Sequence, residues 1–228
     1  MKDVLSRIEH AWQLPAEVPP GPWRERRRLA AALRALSERC VRADASEETL
    51  RAAAALAEQA LAPMAAARDK TYLGAMKDGW QSDDPREYAD RGVLIGRSNP
   101  LAPPMHLSSE AGVAVGELVF SPSYEGAPGW VHGGLVAAAI DQVLGFLQIH
   151  RGIPSVTGRL TVHYRRPTPI ETPIRIEARA GEDRGRQCLL SARLFCGGEV
   201  SAEAEGVFVR VDADALWPGP EATPGTPA

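Results

Sequence analysis

The stretch 126–150 constrains the fold most strongly, because a loop of glycine and proline runs directly into a long apolar segment. The triplet His-Gly-Gly at 132–134 stands at the entrance of that segment. Apolar residues then recur at helical spacing, which predicts a helix over 131–150. One acid, Asp141, lies inside it. A helix this apolar has to be buried, so other parts of the chain must cover it.

Apolar and polar residues alternate once before this helix and four times after it. Clean alternation is typical of antiparallel strands with one solvated face. Gly197-Gly198 is a two-residue hairpin signal. The order predicts an α+β fold, in which an antiparallel sheet of five to six strands wraps one long central helix. The expected strands lie near 111–120, 157–167, 172–182, 186–196 and 199–211.

The sequence divides into three regions. Residues 1–90 form an N-terminal helical extension and linker, in which prolines leave 1–22 loosely organised and the polar residues 70–92 form a covering loop. Residues 91–212 form the main domain. The Pro/Gly-rich residues 213–228 are expected to be a disordered tail.

Two helices are predicted in the extension. The first begins at Trp23, and the second begins at Asp44, where Glu47 completes the spacing of a capping box. Glutamates interleave with an arginine cluster on the first helix, so we interpret that cluster as a solvated face; a phosphate-binding patch is the alternative. The cluster consists of Arg24, Arg26, Arg27, Arg28 and Arg34.

Composition narrows the function classes. A net charge of -3 gives no reason to expect nucleic-acid binding. No apolar run reaches the roughly 18 residues of a spanning helix, so we expect no membrane span. The 3 cysteines, Cys40, Cys188 and Cys196, show no metal-ligand spacing, so we expect a reduced cytoplasmic protein with neither metal nor cofactor.

The entrance of the central helix is a candidate binding site. Gly133 and Gly134 stand where a helix exposes unpaired amides, which suits an anion or a developing oxyanion. Small residues flank Asp141 along one narrow stripe, and Gln148 ends that stripe. From spacing alone, Gly-Gly is also compatible with a turn and the acid with one wet helix face.

The distance between Gly133 and Asp141 limits how the two residues can act on one substrate. Gly133 and Asp141 are separated by about 12 Å along the helix, at about 1.5 Å per residue. A general base must reach its target directly or through one water. One helix therefore cannot place both groups on one reacting carbonyl, whereas two antiparallel helices can. An active site here predicts a dimer.

Several motifs together resemble the PaaI-like hotdog-fold acyl-CoA thioesterases, over about residues 91–211. They are Gly129-Trp-Val-His132-Gly133-Gly134, Asp141 nine residues after the histidine, Thr157 sixteen after the acid, and Val162-His-Tyr-Arg165-Arg166-Pro167. Tyr124-Glu-Gly126 and Ser98-Asn99-Pro100 are similar to a subgroup with an N-terminal extension. Some relatives carry asparagine at the position of Gly126.

The resemblance implies a hotdog fold, dimerised by sheet pairing, that hydrolyses acyl-CoA thioesters. Asp141 would then activate water or attack the carbonyl, and the Gly133 amide would polarise the carbonyl oxygen. His132 would orient the thioester, and Thr157 would place Asp141 or the water. A homodimer is expected, and pairing of dimers into tetramers is left open.

Five further residues are candidates for substrate binding: Trp130, Gly134, Gln148, Arg165 and Arg166. Arginine suits the phosphates of coenzyme A, although a solvated strand end explains the arginine pair equally. Two other functions remain open, because a fold does not fix an activity. These are a non-catalytic acyl-CoA-binding or regulatory protein and a hotdog hydratase or dehydratase.

Overall fold

The computed structural model describes residues 10–67, 84 and 86–212. The predicted tail 213–228 and most of the predicted loop 70–92 lie outside these ranges. The described helices are α1 (Pro22–Arg42), α2 (Glu47–Ala65), α3 (Arg86–Ala89) and α4 (Gly133–His150). The described strands are β1 (His106–Glu110), β2 (Val113–Val119), β3 (Ser155–Tyr164), β4 (Pro173–Arg184), β5 (Gln187–Cys196) and β6 (Glu199–Arg210).

The six strands form one antiparallel sheet in the order β1-β2-β4-β5-β6-β3, with α4 packed against one face. The predicted central helix and the predicted sheet are confirmed. β1 was not predicted, because only Leu107 of its five residues is buried and the others give no alternation signal. β3 and β1 are the two edges of the sheet.

The core lies between α4 and the inward residues of the strands. Val143, Leu144 and Phe146 of α4 are fully buried. Gly116 allows the helix to approach β2 closely, since a Cβ there would lie 2.4 Å from Val143 Cγ2. α4 is apolar enough by mean hydropathy to cross a membrane. A core helix passes the same test, and α4 is the core helix of this sheet.

The hairpin between β5 and β6 has the predicted turn. Gly197 and Gly198 both adopt positive φ, at 59° and 83°. Two successive positive φ values are what a tight two-residue hairpin turn requires, and glycine adopts them without steric cost.

Residues 10–22 pack against the rest of the chain, contrary to the prediction. Within 10–22, Ala11 and Val18 are buried, and the Trp12 ring stacks on Phe146 with centroids 6.2 Å apart. The expectation of a loosely organised 1–22 is therefore wrong for its described part. The prolines exclude a long helix there, but they leave apolar side chains free to pack on the core.

A buried carboxylate joins α1 to the segment before β1. Asp90 has 0% exposure and accepts hydrogen bonds from Trp23 Nε1 at 2.7 Å and from Arg27 Nε at 2.8 Å. Ser98 Oγ and the Arg97 amide also donate to it. The predicted boundary between residues 90 and 91 thus falls beside Asp90, which accepts hydrogen bonds from the extension and from the main domain.

The arginine cluster is not simply a solvated face. Besides Arg27, Arg34 donates to the Asn99 carbonyl at 2.6 Å, and Arg24 donates to the Val18 carbonyl at 2.8 Å. Charge interleaving in the sequence could not show these partners, because they are backbone carbonyls outside the helix, one of them 65 residues away.

α2 begins two residues later than its predicted cap would place it. Ser46 Oγ accepts the Thr49 amide at 3.2 Å, so Ser46 caps the helix instead of Asp44. None of the α2 residues is buried.

Candidate active site

His132 caps α4 with its own side chain. Its Nδ1 accepts the Gly134 amide at 3.0 Å, and its backbone amide donates to the Tyr124 carbonyl at 3.0 Å. Because Nδ1 is an acceptor, a neutral His132 ring carries its proton on Nε2. The exposed histidine therefore presents an N–H donor beside the start of the helix.

The two glycines that follow have different roles. The Gly134 amide is used by the His132 cap. The Gly133 amide has no acceptor within the part of the chain that the structure describes. Of the two candidate amides, Gly133 is thus the one available to a ligand, at the positive end of an 18-residue helix.

Gly126, where some relatives carry asparagine, packs tightly against this turn. A Cβ at Gly126 would lie 2.8 Å from the His132 Cα, so any side chain would displace the helix entrance. The glycine is needed for the close approach of these two backbone segments.

Tyr164 was not among the predicted site residues, yet it lies at the same entrance. Its hydroxyl donates to the Gly133 carbonyl at 2.8 Å. A Cβ built on Gly133 would lie 3.5 Å from the ring Cζ. The sequence signal was a tyrosine on the inward face of β3, with Leu160 and Val162, close to the end of the strand.

Asp141 and Thr157 are brought together as predicted. The Thr157 hydroxyl donates to Asp141 Oδ1 at 2.7 Å. Asp141 is half-buried, and no cation of the described chain forms an ion pair with it. Its second oxygen, Oδ2, has no partner in the same ranges and can accept a proton from a ligand or a water.

A β-bulge turns Thr157 towards Asp141. In β3, Thr157 pairs with Phe208 and Arg159 pairs with Val207, so Gly158 is an extra residue. Phe208 is buried, and Thr157, which is paired with it, lies on the same helix-facing side of the sheet, although it is exposed. Strict alternation would place Thr157 with Arg159 on the outer face. A Cβ on Gly158 would lie 2.9 Å from Val209 Cγ2, which explains the glycine.

The small-residue stripe of α4 is only partly open. Ala138 and Gly145 are partly exposed, and a Cβ on Gly145 would meet open space. Gln148 is 1% exposed and bonds to Ser155 Oγ and to Arg151. The predicted substrate-binding role of Gln148 therefore has no open side-chain atom to support it in this chain.

The remaining candidates lie at the surface. Trp130 is 41% exposed beside the loop that precedes α4. Arg165 donates to Glu203 at 3.0 Å, and Arg166 pairs with Glu199. Both arginines are more than half exposed, so their carboxylate partners compete only weakly with an anionic ligand.

Within the described ranges, no three His, Cys, Asp or Glu side chains gather where a metal could bind.

The two halves of the site lie towards opposite ends of β3. Thr157 holds Asp141, and Tyr164 contacts Gly133. Tyr164 follows Thr157 by seven positions, one of which is the bulge, so six strand steps separate them, or about 20 Å at about 3.3 Å per residue. Along α4 itself, Gly133 and Asp141 are eight residues apart, or about 12 Å at about 1.5 Å per residue, so one chain does not bring its own Asp141 to its own Gly133 amide.

These features define a class of protein: a hotdog fold with a carboxylate inside the central helix and a free amide at its start. Residues 128–203 match the family described as the thioesterase superfamily. A solved thioesterase superfamily protein, 26% identical, superposes with a TM-score of 0.69 and covers 86% of this chain and 97% of that one. Residues 128–203 of this chain are thus similar to the thioesterase superfamily, and the chain has the hotdog fold of a solved member.

Curated relatives match a shorter part of the chain. The acyl-coenzyme A thioesterase THEM4 of Mus musculus is 28% identical over 92 residues, which are 40% of this chain and 40% of that protein. The THEM4 protein of Bos taurus is 30% identical over 95 residues, 41% of this chain and 39% of that protein. The match thus spans about two fifths of the length of these relatives.

Proposed function

We propose that this protein hydrolyses acyl-CoA thioesters at two sites shared between the subunits of a homodimer. The observation that carries the proposal is the contact between Thr157 and Asp141, which orients a carboxylate whose other oxygen has no partner among the described residues. The match of residues 128–203 to the thioesterase superfamily and the names of the THEM4 relatives support the substrate class.

The reaction follows from the chemistry of the two groups. The thioester oxygen accepts the Gly133 amide of one subunit, whose helix end favours the negative charge that develops there. Asp141 of the other subunit removes a proton from water, and the resulting hydroxide attacks the carbonyl carbon. The C–S bond then breaks, and Asp141 returns the proton to the departing CoA thiolate. In the alternative route, Asp141 attacks the carbonyl itself and water resolves the anhydride.

The open edge of β3 supports the shared site. β3 has ten residues and pairs on one side with β6, so its other side offers free backbone groups. An antiparallel pairing of two β3 strands about a two-fold axis near Thr161 brings Thr157 of one subunit close to Tyr164 of the other. Asp141 then approaches the Gly133 amide across the interface, which solves the distance problem of the single chain.

Free-thiol release from a panel of acyl-CoAs tests the activity. We expect release from at least one chain length, with saturation kinetics and a protein that sediments as a dimer. Tight binding of acyl-CoA with no thiol release from any member of the panel would contradict hydrolysis. That outcome would favour a non-catalytic acyl-CoA-binding protein instead.

A further inference from the structure

The peptide group between Gly133 and Gly134 is held at both of its polar atoms. Its N–H donates to His132 Nδ1 at 3.0 Å, and its carbonyl oxygen accepts the Tyr164 hydroxyl at 2.8 Å. The first contact comes from a neighbour in sequence, and the second comes from the end of β3. The peptide group adjoins the Gly133 amide that we assign to the oxyanion.

This part of the helix needs external support. Glycine has more backbone freedom than any other residue, and two glycines in succession form the first turn of α4. The amides of a first helical turn also lack partners within the helix. An oxyanion donor stabilises a transition state only if it is already oriented before the reaction. The flexibility of the glycines works against that orientation.

We propose that Tyr164 is a positioning residue, which orients the Gly133 amide by fixing the carbonyl of the same residue. This inference rests on the proposed thioesterase function. The Tyr164 ring packs over Gly133. Its hydroxyl, by donating to the Gly133 carbonyl, restricts rotation of the peptide group between Gly133 and Gly134. Together with the His132 cap, it holds the donor in one geometry although no side chain is present on either glycine.

The exposure of Tyr164 argues against a role in the core. The side chain is 54% exposed, whereas Leu160 and Val162 of the same strand pack against the core cluster. Removing only the hydroxyl leaves the ring and its contacts in place. We therefore expect Tyr164→Phe to change turnover without changing the melting temperature.

The test compares Tyr164→Phe with the wild-type protein and with Ser191→Ala. The control removes a hydroxyl from the exposed side of β5, on the outer face of the same sheet. We expect kcat of Tyr164→Phe to fall about 10-fold, less than the about 10²- to 10³-fold loss for an oxyanion donor itself. KM, melting temperature and the activity of Ser191→Ala should stay at wild-type values.

A spectroscopic measurement separates positioning from a general structural effect. Benzoyl-CoA bound to the slow variant Asp141→Asn should show a thioester carbonyl stretch shifted to lower frequency, because the amide polarises the carbonyl. Adding Tyr164→Phe should make that shift smaller. An unchanged kcat, or an equal carbonyl shift in both variants, would overturn the role of Tyr164 while leaving the thioesterase intact. A wild-type protein that releases no thiol from any acyl-CoA would instead remove the proposed function and this inference with it.

Discussion

Asp141 of α4 differs from two acids of the sheet, Asp183 and Glu203, in the groups that donate hydrogen bonds to it. Arg151 donates to Asp183 and Arg165 donates to Glu203, and these contacts keep the pKa of both carboxyls below the usual range. Asp141 accepts a neutral hydroxyl instead. This contact orients the Asp141 carboxylate and leaves its second oxygen without a partner among the described residues, so that oxygen can reach a water or a carbonyl, as a general base or nucleophile must.

Asp141→Asn should therefore abolish most of the turnover. The change keeps the shape and removes the charge and the basicity, so we expect kcat to fall about 10²-fold or more. Affinity for acyl-CoA should survive, because the Gly133 amide is untouched. Stability should change little or rise, since a half-buried carboxylate without a cation is costly. Thiol release, equilibrium binding and thermal melting measure the three effects. Altered melting with normal turnover would assign Asp141 a structural role.

The bulge at Gly158 gives a second residue-scale prediction. In Gly158→Ala the new methyl group would lie 2.9 Å from Val209 Cγ2 and 3.3 Å from the Val207 carbonyl oxygen, so Val209 or the bulge must shift, and we expect the bulge to shift. Thr157 then loses its contact with Asp141, and kcat should fall about as far as in Thr157→Val. The two variants should not be additive when combined, because both remove one interaction. Additive losses in that double-mutant cycle would show that Gly158 acts independently of Thr157.

Sequence patterns located most of this site but not its local geometry. Asp141, Gly133 and His132 were predictable because helix-entrance chemistry and spacing are local. The inward direction of Thr157 was not, since strict alternation places it outside and only the glycine after it hints at a bulge. Tyr164 was placed on the correct face of β3, but its bond to Gly133 depends on how the helix crosses the sheet.

At the scale of elements, β3 carries both halves of the site and has an open edge. If two copies pair about an axis near Thr161, this residue faces its own symmetry mate on the outer side of the sheet. Thr161→Cys, in a Cys40→Ser background because Cys40 is exposed, should form a disulfide-linked dimer under mild oxidation. Arg159→Cys is the matched control, because its two copies lie about 13 Å apart along the strand direction. Non-reducing electrophoresis reads out both, and equal cross-linking at the two positions would place the axis elsewhere.

The elements themselves were predictable where the periodicity was strong. The apolar run of α4 and the alternation in β2 to β6 follow directly from which faces are buried. β1 was not predicted, because a five-residue edge strand has one buried side chain. The α2 cap was misplaced, because Asp44 and Ser46 are both residue types that cap helices and only Asp44 has capping-box spacing with Glu47. Where local sequence preferences are this weak, tertiary packing determines which structure forms.

At the scale of the whole molecule, the extension is joined to the domain that carries the site. α1 packs on the turn Pro122–Tyr124, and the Tyr124 carbonyl accepts the His132 amide. The Tyr124 hydroxyl donates to the Leu101 carbonyl at 3.0 Å, and burial raises the pKa of this phenol, so it remains a neutral donor. The loop that leads into α4 is thus held from the side of the extension.

The ion pair between Arg27 and Asp90 provides the final prediction. The carboxylate is fully buried and the guanidinium side chain is 11% exposed, so Arg27→Ala leaves a buried charge without its cation. Breaking a buried pair in this way costs about 3–5 kcal/mol in the free energy of unfolding. Arg28→Ala, on the next residue of α1, removes an exposed pair with Glu25 and should cost at most about 1 kcal/mol.

Two measurements on Arg27→Ala and Arg28→Ala test this ion pair. Urea unfolding tests its contribution to stability, and thiol release tests its effect on the candidate site. Arg27→Ala should unfold at lower urea, and its remaining folded protein should turn over more slowly, because the loop before His132 loses support from α1. Arg28→Ala should match the wild type in both measurements. Equal stability of the two variants would contradict the structural role of Asp90. A destabilised Arg27→Ala with normal kcat would show that the extension stabilises the fold without orienting the helix entrance.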